Sequence, residues 1–375
     1  MDFAPFMPAA EQTFVLDVPV NTPADAHFYL QTGLEDYAPA LPDHQFEREN
    51  GGWTLRLPFP LGALLTYKVT RGSAESEEGD EWSERRPERR TVITGAATHH
   101  IRVQSWMDLN DGSGRPSTLA AGIETLTVHS PELDDNFTVQ IWTPHGYPEG
   151  RARFPVLYLH DGQNMFDAAS SFAGETWAAN EAAGKLADEG LPCLLVAVHV
   201  RGQHRSGDYM PFAIRANDHQ TTAPAYQRFL TETLKPYIDA RYRTRPEAAF
   251  AAQAGSSFGG VAALHGTLTR PEVWGSCGAF SPSLWVQDGT LMNFAAQHPA
   301  PELRLHVDMG THEGQFVEDA AAGVRQARWF AARSAPHVRE VRFQIGEGHW
   351  HDENAWRVRL PGFLRWWLSG LNTQP

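Results

Sequence analysis

The residues best suited to chemistry are Gly255-Ser256-Ser257-Phe258-Gly259, which place a serine in a G-x-S-x-G frame. Hydrolases carry a nucleophilic serine in this frame, at a sharp turn from a strand into a helix. The glycines suit such a turn, because Cβ atoms two residues on either side of the serine would collide. A chain of this length contains the frame by chance roughly one time in ten, so the neighbouring residues must decide.

The residues around Ser257 predict the strand and the helix that this turn needs. Residues 247–254 form a short apolar run typical of a buried strand. Residues 259–268 carry apolar side chains at the spacing of a helix packed on a sheet. The alternative is a glycine-rich turn whose serine only caps the helix. The order strand, turn, helix favours the nucleophile.

A serine nucleophile of this kind needs a histidine and an acid, and the acid follows a late strand of the sheet. Residues 303–308 are predicted to be such a strand, and Glu313 lies just beyond its end. Asp308 competes for the role but lies within the strand. We favour Glu313, because the loops at the carboxyl ends of the strands carry the chemistry. Its alternative is an ordinary surface carboxylate.

Two histidines follow the next predicted strand, at residues 341–345, and either one suits the role of general base. His351 stands just before the predicted last helix, and His349 stands two residues earlier. Their spacing alone does not separate them. Together with Asp352 they also resemble zinc ligands, but no further ligand cluster accompanies them, so we expect neither a metal nor a cofactor.

Acyl transfer also needs N–H donors for a developing oxyanion. The predicted strand at residues 154–160 runs into Asp161, Gly162 and Gln163, at the place of the first donor loop in this topology. We expect the N–H group of Gly162 or Gln163 to act with that of Phe258. The alternative is a turn in which Asp161 only caps a helix.

The length of the chain predicts two domains. Residues 1–105 contain short alternating segments separated by proline and glycine, which predict a β-sandwich. Within them, residues 71–90 are strongly charged and are predicted to form a solvated loop. Residues 106–122 are predicted to be a linker, because small and polar turn-forming residues dominate there. Residues 123–375 alternate strands and helices, which predicts an α/β domain with a mostly parallel sheet.

Composition restricts the partners of the chain. Its 375 residues include 31 Lys and Arg against 45 Asp and Glu, a formal charge of −14, which argues against nucleic acid and anionic membranes. No apolar run approaches the length of a membrane span, and no signal-peptide pattern is visible. Cys193 and Cys277 lie in apolar runs and are predicted to be buried thiols. The expected setting is the cytoplasm, and the expected partner is a small molecule, with a homo-oligomer left open.

Four motifs occur in order along the chain: His160-Asp161-Gly162-Gln163-Asn164-Met165-Phe166-Asp167, Gly255-Ser256-Ser257-Phe258-Gly259-Gly260, Ser281-Pro282-Ser283-Leu284-Trp285 and His351-Asp352-Glu353-Asn354-Ala355-Trp356. They resemble the putative-esterase family of α/β-hydrolases, which includes enterochelin-type siderophore esterases and feruloyl and acetyl-xylan esterases. The resemblance covers roughly residues 123–368. It implies an α/β-hydrolase fold and a cofactor-free serine carboxylic-ester hydrolase with the triad Ser257, His351 and Glu313.

The resemblance also separates the two histidines. The family motif H-N-E-x-x-W aligns with His351 and makes His349 a bystander, although Asp352 replaces the usual Asn. Trp285 then walls a substrate pocket, with a core tryptophan as the alternative. Arg205 lies in a stretch similar to R-x-x-E-Y-x-P, which reads as mainly structural. The substrate contacts that the resemblance implies are Trp285, Arg205 and Asn164.

The amino-terminal part carries a resemblance of its own. Tyr67-Lys68-Val69-Thr70-Arg71-Gly72-Ser73 is similar to the Y-K-x-T-R-G-S signature of the starch-binding-like sandwich found before some members of the family. In glycan-binding modules exposed tryptophans stack on sugars, and Trp53, Trp82 and Trp106 are the candidates. We prefer the alternative that they pack in the sandwich core or at the domain interface. Acyl transfer by the same triad, or glycan binding by a degenerate hydrolase domain, are the other functions considered.

Overall fold

The structure is a computed structural model that describes residues 7–211 and 221–371, with the backbone alone at residues 287–288. The chain divides into two compact units. The first comprises Met1–Ser117, Ala168–Glu175 and His312–Ala322, and the second comprises Thr118–Asp167, Thr176–Thr311 and Gly323–Pro375. The first unit therefore continues into the predicted linker and also includes two segments from later in the chain.

The first unit is rich in short strands. Their bounds are β1 (Ala9–Asp17), β2 (Tyr29–Thr32), β3 (Glu47–Glu49), β4 (Gly52–Pro60), β5 (Leu64–Thr70), β6 (Glu78–Gly79), β7 (Arg89–Val92), β8 (Ala97–Arg102) and β9 (Ser105–Trp106). They pair in the orders β3-β4-β1-β8, β2-β5-β7 and β6-β9. Alternate residues of β1 and β5, such as Phe14 and Leu65, are buried in a common apolar core. The period-two burial of β1 is what the alternating segments predicted, whereas six of the seven residues of β5 are buried.

The charged segment is less exposed than its composition suggests. Glu77 and Glu78 are buried, and Lys68 Nζ donates to Glu77 Oε2 at 2.8 Å. Arg89 Nη2 donates to Glu78 Oε2 at the same distance. The prediction of a solvated loop is therefore wrong for this part of residues 71–90, because ion pairing compensates the buried charges.

The three candidate tryptophans have different surroundings. Trp106 is fully buried, stacks on Phe28, and donates from Nε1 to Thr22 Oγ1 at 2.9 Å. Trp53 packs edge-on against the same phenylalanine. Trp82 alone among the three is exposed, with 38% of its surface accessible. Trp106 is thus a core residue of the first unit, and sugar stacking stays a prediction.

The second unit contains the mostly parallel sheet that the sequence predicts. Its strands are β10 (Glu124–Ser130), β11 (Asp135–Trp142), β12 (Val156–Leu159), β13 (Leu194–Val198), β14 (Ala251–Ser256), β15 (Ser276–Phe280), β16 (Ala300–Gly310) and β17 (Val338–Gly346). Their order is β10-β11-β13-β12-β14-β15-β16-β17. The pairs from β13 to β17 are parallel, whereas β11 is antiparallel to both of its neighbours.

Helices connect the parallel strands, and one more helix follows the last strand. They are α1 (Ala179–Asp188), α2 (Arg205–Tyr209), α3 (Ala223–Arg228), α4 (Lys235–Arg241), α5 (Phe258–Thr269), α6 (Val286–Gly289), α7 (Phe294–Gln297), α8 (Val317–Ser334) and α9 (Glu353–Leu371). The predicted strand at residues 247–254 begins later than expected, because Ala248–Phe250 forms a 3-10 turn closed by Phe250 N–H donating to the Glu247 carbonyl.

The parallel strands lie in the middle of the apolar core. Every residue of β12, β13, β14 and β15 is buried, as expected for strands covered on both faces. Cys193 and Cys277 are free, fully buried thiols, and burial raises the pKa of each to about 12. Within residues 7–211 and 221–371, no helix combines the length and apolar character needed to cross a bilayer.

Candidate active site

Ser257 lies at the sharp turn between β14 and α5. Its backbone has φ 55° and ψ −120°, a region that residues with a side chain rarely occupy. Its N–H donates to the Phe280 carbonyl at 3.0 Å, and its own carbonyl accepts from Val261 N–H at 3.2 Å. The elbow is therefore strained and held from both sides, which is typical of a nucleophile at the carboxyl edge of a sheet.

The glycines of the frame are required by close backbone contact. A Cβ on Gly255 would lie 2.7 Å from the carbonyl carbon of Gly259 and 3.0 Å from His160 Cβ. A Cβ on Gly259 would lie 3.1 Å from Asp161 Oδ2. The elbow thus packs directly against the residues that follow β12. The alternative of a simple cap accounts neither for this packing nor for the backbone strain.

The loop 281–285 lies directly against the serine. Ser283 Oγ is 3.4 Å from Ser257 Oγ, and Ser283 N–H donates to the Ser257 carbonyl at 3.3 Å. Trp285, at the end of this loop, is 60% exposed, and its ring centre is 6.5 Å from that of Phe258. Trp285 is therefore not a core residue. Its place beside the residue after Ser257 suits a pocket wall.

The residues after β12 form a tight loop over β13. Asp161 is left-handed, with φ 54°, and Gly162–Asn164 is a 3-10 turn. A Cβ on Gly162 would lie 2.5 Å from the carbonyl carbon of Ala197, so only glycine fits there. Gln163 Oε1 accepts from Val200 N–H at 3.1 Å. These contacts fix the backbone of the predicted oxyanion donors Gly162 and Gln163.

An ion pair holds the same loop from the other side. Arg205 Nε and Nη2 donate to Asp161 Oδ1 and Oδ2 at 2.8 Å each. Burial opposes the charge on Arg205, but the Asp161 carboxylate outweighs it, so the pKa of the guanidinium is raised. Its Cζ also lies 5.6 Å from the ring centre of Phe258. Asp161 is therefore more than a helix cap, and Arg205 joins the two loops that carry the predicted oxyanion donors.

His351 is exposed on the loop before α9. Its ring meets that of the buried Trp356 edge-on, with centres 5.0 Å apart. Asp352 caps the helix, because its Oδ1 accepts from Ala355 N–H at 2.8 Å. Aspartate caps a helix as well as asparagine does, which explains the departure from the family motif.

Asn164 belongs to the same region. It is buried, and its Nδ2 donates to Glu353 Oε1 at 3.0 Å. The contact joins the loop after β12 to the start of α9, so it connects the predicted oxyanion loop to the segment that carries His351. A contact between Asn164 and substrate stays a prediction.

The two candidate acids differ in their engagement. Asp308 is fully buried, and its Oδ1 accepts from both Ser281 N–H and Arg359 Nη1, at 3.0 and 2.9 Å. These two contacts hold the Asp308 carboxylate in place. Glu313 lies beyond the end of β16, in a segment that belongs to the first unit. Its pairing with His351 stays a prediction.

The other histidines have different roles. His160 is buried between Tyr226 Oη and Gln253 Oε1, at 2.9 and 3.1 Å. Burial, opposed by the nearby Asp161, lowers the pKa of His160 to about 4, so it is neutral at pH 7. His349 lies in the turn after β17, where its N–H donates to the Gly346 carbonyl at 3.2 Å. Among the described residues, no three His, Cys, Asp or Glu side chains converge in the arrangement of a metal site.

Comparison with known proteins agrees with this geometry. The family described as Putative esterase matches residues 130–367, more than half of the chain. The chain belongs to this family. The assignment places it among the esterases, and its second unit has the α/β-hydrolase fold.

Two curated proteins illustrate the relationship. The chain is 30% identical to the siderophore triacetylfusarinine C esterase of Aspergillus fumigatus over 138 residues, which are 36% of the chain and 46% of that protein. It is 25% identical to an endo-1,4-beta-xylanase/feruloyl esterase of Xylanibacter ruminicola over 246 residues, which are 63% of the chain and 30% of that protein. The chain thus spans less than half the length of either relative.

A solved structure resembles more of the chain. The enterobactin esterase FES from Shigella flexneri, in the presence of enterobactin, aligns with 92% of this chain and 88% of its own, with a TM-score of 0.58 and 16% identity. At this identity the likeness concerns the fold.

Several residues of the site escaped the sequence reasoning. Ser283 faces the nucleophile, Glu353 binds Asn164, and Arg359 binds Asp308. A signal for Ser283 was available, because the family motif Ser281-Pro282-Ser283 contains it. Nothing in the spacing of Asp308 and Arg359 indicates that they meet, because they are 51 residues apart.

Proposed function

We propose that the chain is a serine carboxylic-ester hydrolase whose nucleophile is Ser257. The observation that carries the proposal is the strained elbow, with φ 55° and ψ −120° at the serine, between a buried parallel strand and α5. Holding the hydroxyl on such a turn presents it at the edge of the sheet, where the loops after the other strands converge.

His351 is the proposed general base. It accepts the proton of Ser257 as the hydroxyl attacks the ester carbonyl, and then donates it to the leaving alcohol. In the second half of the reaction, His351 takes a proton from water as the water attacks the acyl-enzyme. It then returns that proton to the departing Ser257 oxygen. Support comes from the loop 281–285. It contacts Ser257 through Ser283, and through Ser281 it contacts Trp356, whose ring packs against His351. Glu313 is the proposed acid that orients the imidazole.

The oxyanion is proposed to bind the N–H groups of Phe258 and of Gly162 or Gln163. Phe258 is the first residue of α5, where backbone N–H groups have no partner within the helix. The approach of Gly259 to Asp161 supports this pairing, since it brings the two donor loops side by side. Such donors typically contribute on the order of a hundredfold or more to turnover.

The substrate is proposed to be a small-molecule ester, with siderophore esters as the first class to test. Relatives named for siderophore and feruloyl esters support the choice of these two classes. Trp285 provides an exposed aromatic surface beside Phe258, which suits a planar acyl or alcohol group. Acyl transfer in place of hydrolysis would appear as an ester product when an acceptor alcohol is supplied.

The test compares Ser257→Ala with Ser256→Ala on a panel of siderophore, feruloyl, acetyl-sugar and p-nitrophenyl esters. We expect Ser257→Ala to abolish turnover and covalent labelling by an organophosphate. Ser256→Ala makes the same substitution one residue earlier and should retain both. Wild-type turnover by purified Ser257→Ala would refute the proposed mechanism.

A further inference from the structure

A buried ion pair lies beneath the loop 281–285. Arg359 Nη1 donates to Asp308 Oδ1 at 2.9 Å, and both side chains are at most 1% exposed. Bringing two charges out of water is costly, and an apolar pair would often stabilise the fold equally well. The pair is therefore better explained by what it holds than by stability.

Both charged groups bind Ser281. The Ser281 N–H donates to Asp308 Oδ1 at 3.0 Å, and Arg359 Nη2 donates to Ser281 Oγ at 2.9 Å. Ser281 has φ 42°, a left-handed conformation that costs free energy for a residue other than glycine. His306, also buried, binds the other oxygen of Asp308 through Nε2 at 3.3 Å. The ion pair thus fixes both the backbone and the hydroxyl of a strained residue.

Ser281 lies between the residues that contact the proposed base and those that contact the proposed nucleophile. Trp356 Nε1 donates to Ser281 Oγ at 3.0 Å, and the ring of Trp356 packs against His351. Two residues after Ser281, Ser283 contacts Ser257 through its hydroxyl and its N–H. A shift of Ser281 would therefore move the proposed base and the proposed nucleophile relative to each other.

We propose that the Asp308–Arg359 pair is a positioning device that sets the distance between His351 and Ser257 through Ser281. The inference rests on the proposed function, since it assigns a purpose to the surroundings of that triad. The pair itself touches neither substrate nor the reacting atoms. A displacement of reacting groups by about 1 Å costs roughly a hundredfold in rate, so a small movement of Ser281 is sufficient.

The test measures kcat per active site titrated with an organophosphate, for Ser281→Ala, Arg359→Gln and Arg359→Lys. Ser257→Ala, which lacks the hydroxyl that the organophosphate labels, is assayed per molecule of folded protein. Arg357→Gln is the matched control, because Arg357 lies on the same helix but is solvent-exposed and pairs with the exposed Glu181. Titration separates positioning from folding: a merely structural residue lowers the number of active sites, whereas a positioning residue lowers the turnover of each site. Circular dichroism identifies any variant that does not fold.

We expect Ser281→Ala and Arg359→Gln to lower kcat per site by about tenfold to a hundredfold, with KM within about twofold of the wild type. Arg359→Lys should recover part of the loss, because it keeps the charge next to Asp308. Arg357→Gln should match the wild type. If Arg359→Gln does not fold, Ser281→Ala still tests the inference, because it removes the hydroxyl that Arg359 binds and leaves the ion pair in place.

Unchanged kcat per site in Ser281→Ala would overturn the inference while Ser257→Ala remains inactive. Full activity of Ser257→Ala would instead refute the proposed function, which makes the two failures distinguishable.

Discussion

Removing the charge of Asp161 tests whether its ion pair with Arg205 holds the oxyanion loop. The bidentate pair spans two loops, with donor–acceptor distances of 2.8 Å, and it stands directly before Gly162. Asp161→Asn keeps the shape of the side chain but leaves Arg205 facing a neutral amide. We expect losses in both the free energy of unfolding and kcat.

The magnitude follows from the partial burial of the pair. The side chain of Asp161 is 6% exposed and that of Arg205 is 33% exposed. Breaking a fully buried pair costs about 3–5 kcal/mol, whereas exposed pairs contribute about 0–1 kcal/mol. An intermediate coupling energy of about 2 kcal/mol is therefore expected. For kcat, a loosened donor loop corresponds to a loss of about tenfold to a hundredfold.

The assay is a double-mutant cycle of Asp161→Asn and Arg205→Gln, followed by urea unfolding and by steady-state kinetics. The exposed pair of Arg365 and Glu189 serves as a matched control, with a coupling energy below about 1 kcal/mol. Equal coupling energies in the two cycles, or an unchanged kcat in Asp161→Asn, would show that this ion pair does not hold the oxyanion loop.

Three further predictions concern the elbow, pH and the acid. Gly255→Ala should destabilise the fold by about 3 kcal/mol and abolish turnover, because the backbone of Gly259 cannot move aside. The control Gly95→Ala, which has open space around it, should change neither stability nor turnover. Thermal unfolding and an ester assay measure the two quantities. Burial lowers the pKa of His160 from 6.5 to about 4, so the unfolded chain takes up this proton at a higher pH than the folded chain does. About 3 kcal/mol of the free energy of unfolding should therefore be lost as the pH falls from 6.5 to 4. Urea titrations over that range should give a shallower slope for His160→Gln, and an equal slope would contradict the assignment. Glu313→Gln should lower kcat on the order of a thousandfold at unchanged KM, and a wild-type kcat would remove Glu313 from the triad.

The fold was largely predictable because its elements carry local signals. The stripe before Leu268 predicted a helix that the structure shows as Phe258–Thr269, and the apolar run around Leu157 became a buried parallel strand. Predictions failed where pairing over distance decides. Residues 71–90 look solvated by composition, yet Lys68 and Arg89 neutralise two glutamates there in the interior.

The proposed chemistry follows from residue types and their order along the chain. Ser257 and its glycines specify an elbow, because their backbone requirements follow from the residue types alone. The order of strands along the chain likewise placed Gly162 and His351 in loops at the same edge of the sheet. The acidic composition argued against nucleic acid as a partner without reference to any fold.

The partners of the buried polar side chains, by contrast, became known only from the folded chain. Asp308 was the second candidate acid in the sequence, and the structure shows that Arg359 and Ser281 bind its carboxylate in the interior. The sequence placed Arg205 in a mainly structural stretch and among the implied substrate contacts, and only the structure shows that it binds Asp161. Such roles depend on burial and on partners far away in the chain, and local spacing contains neither.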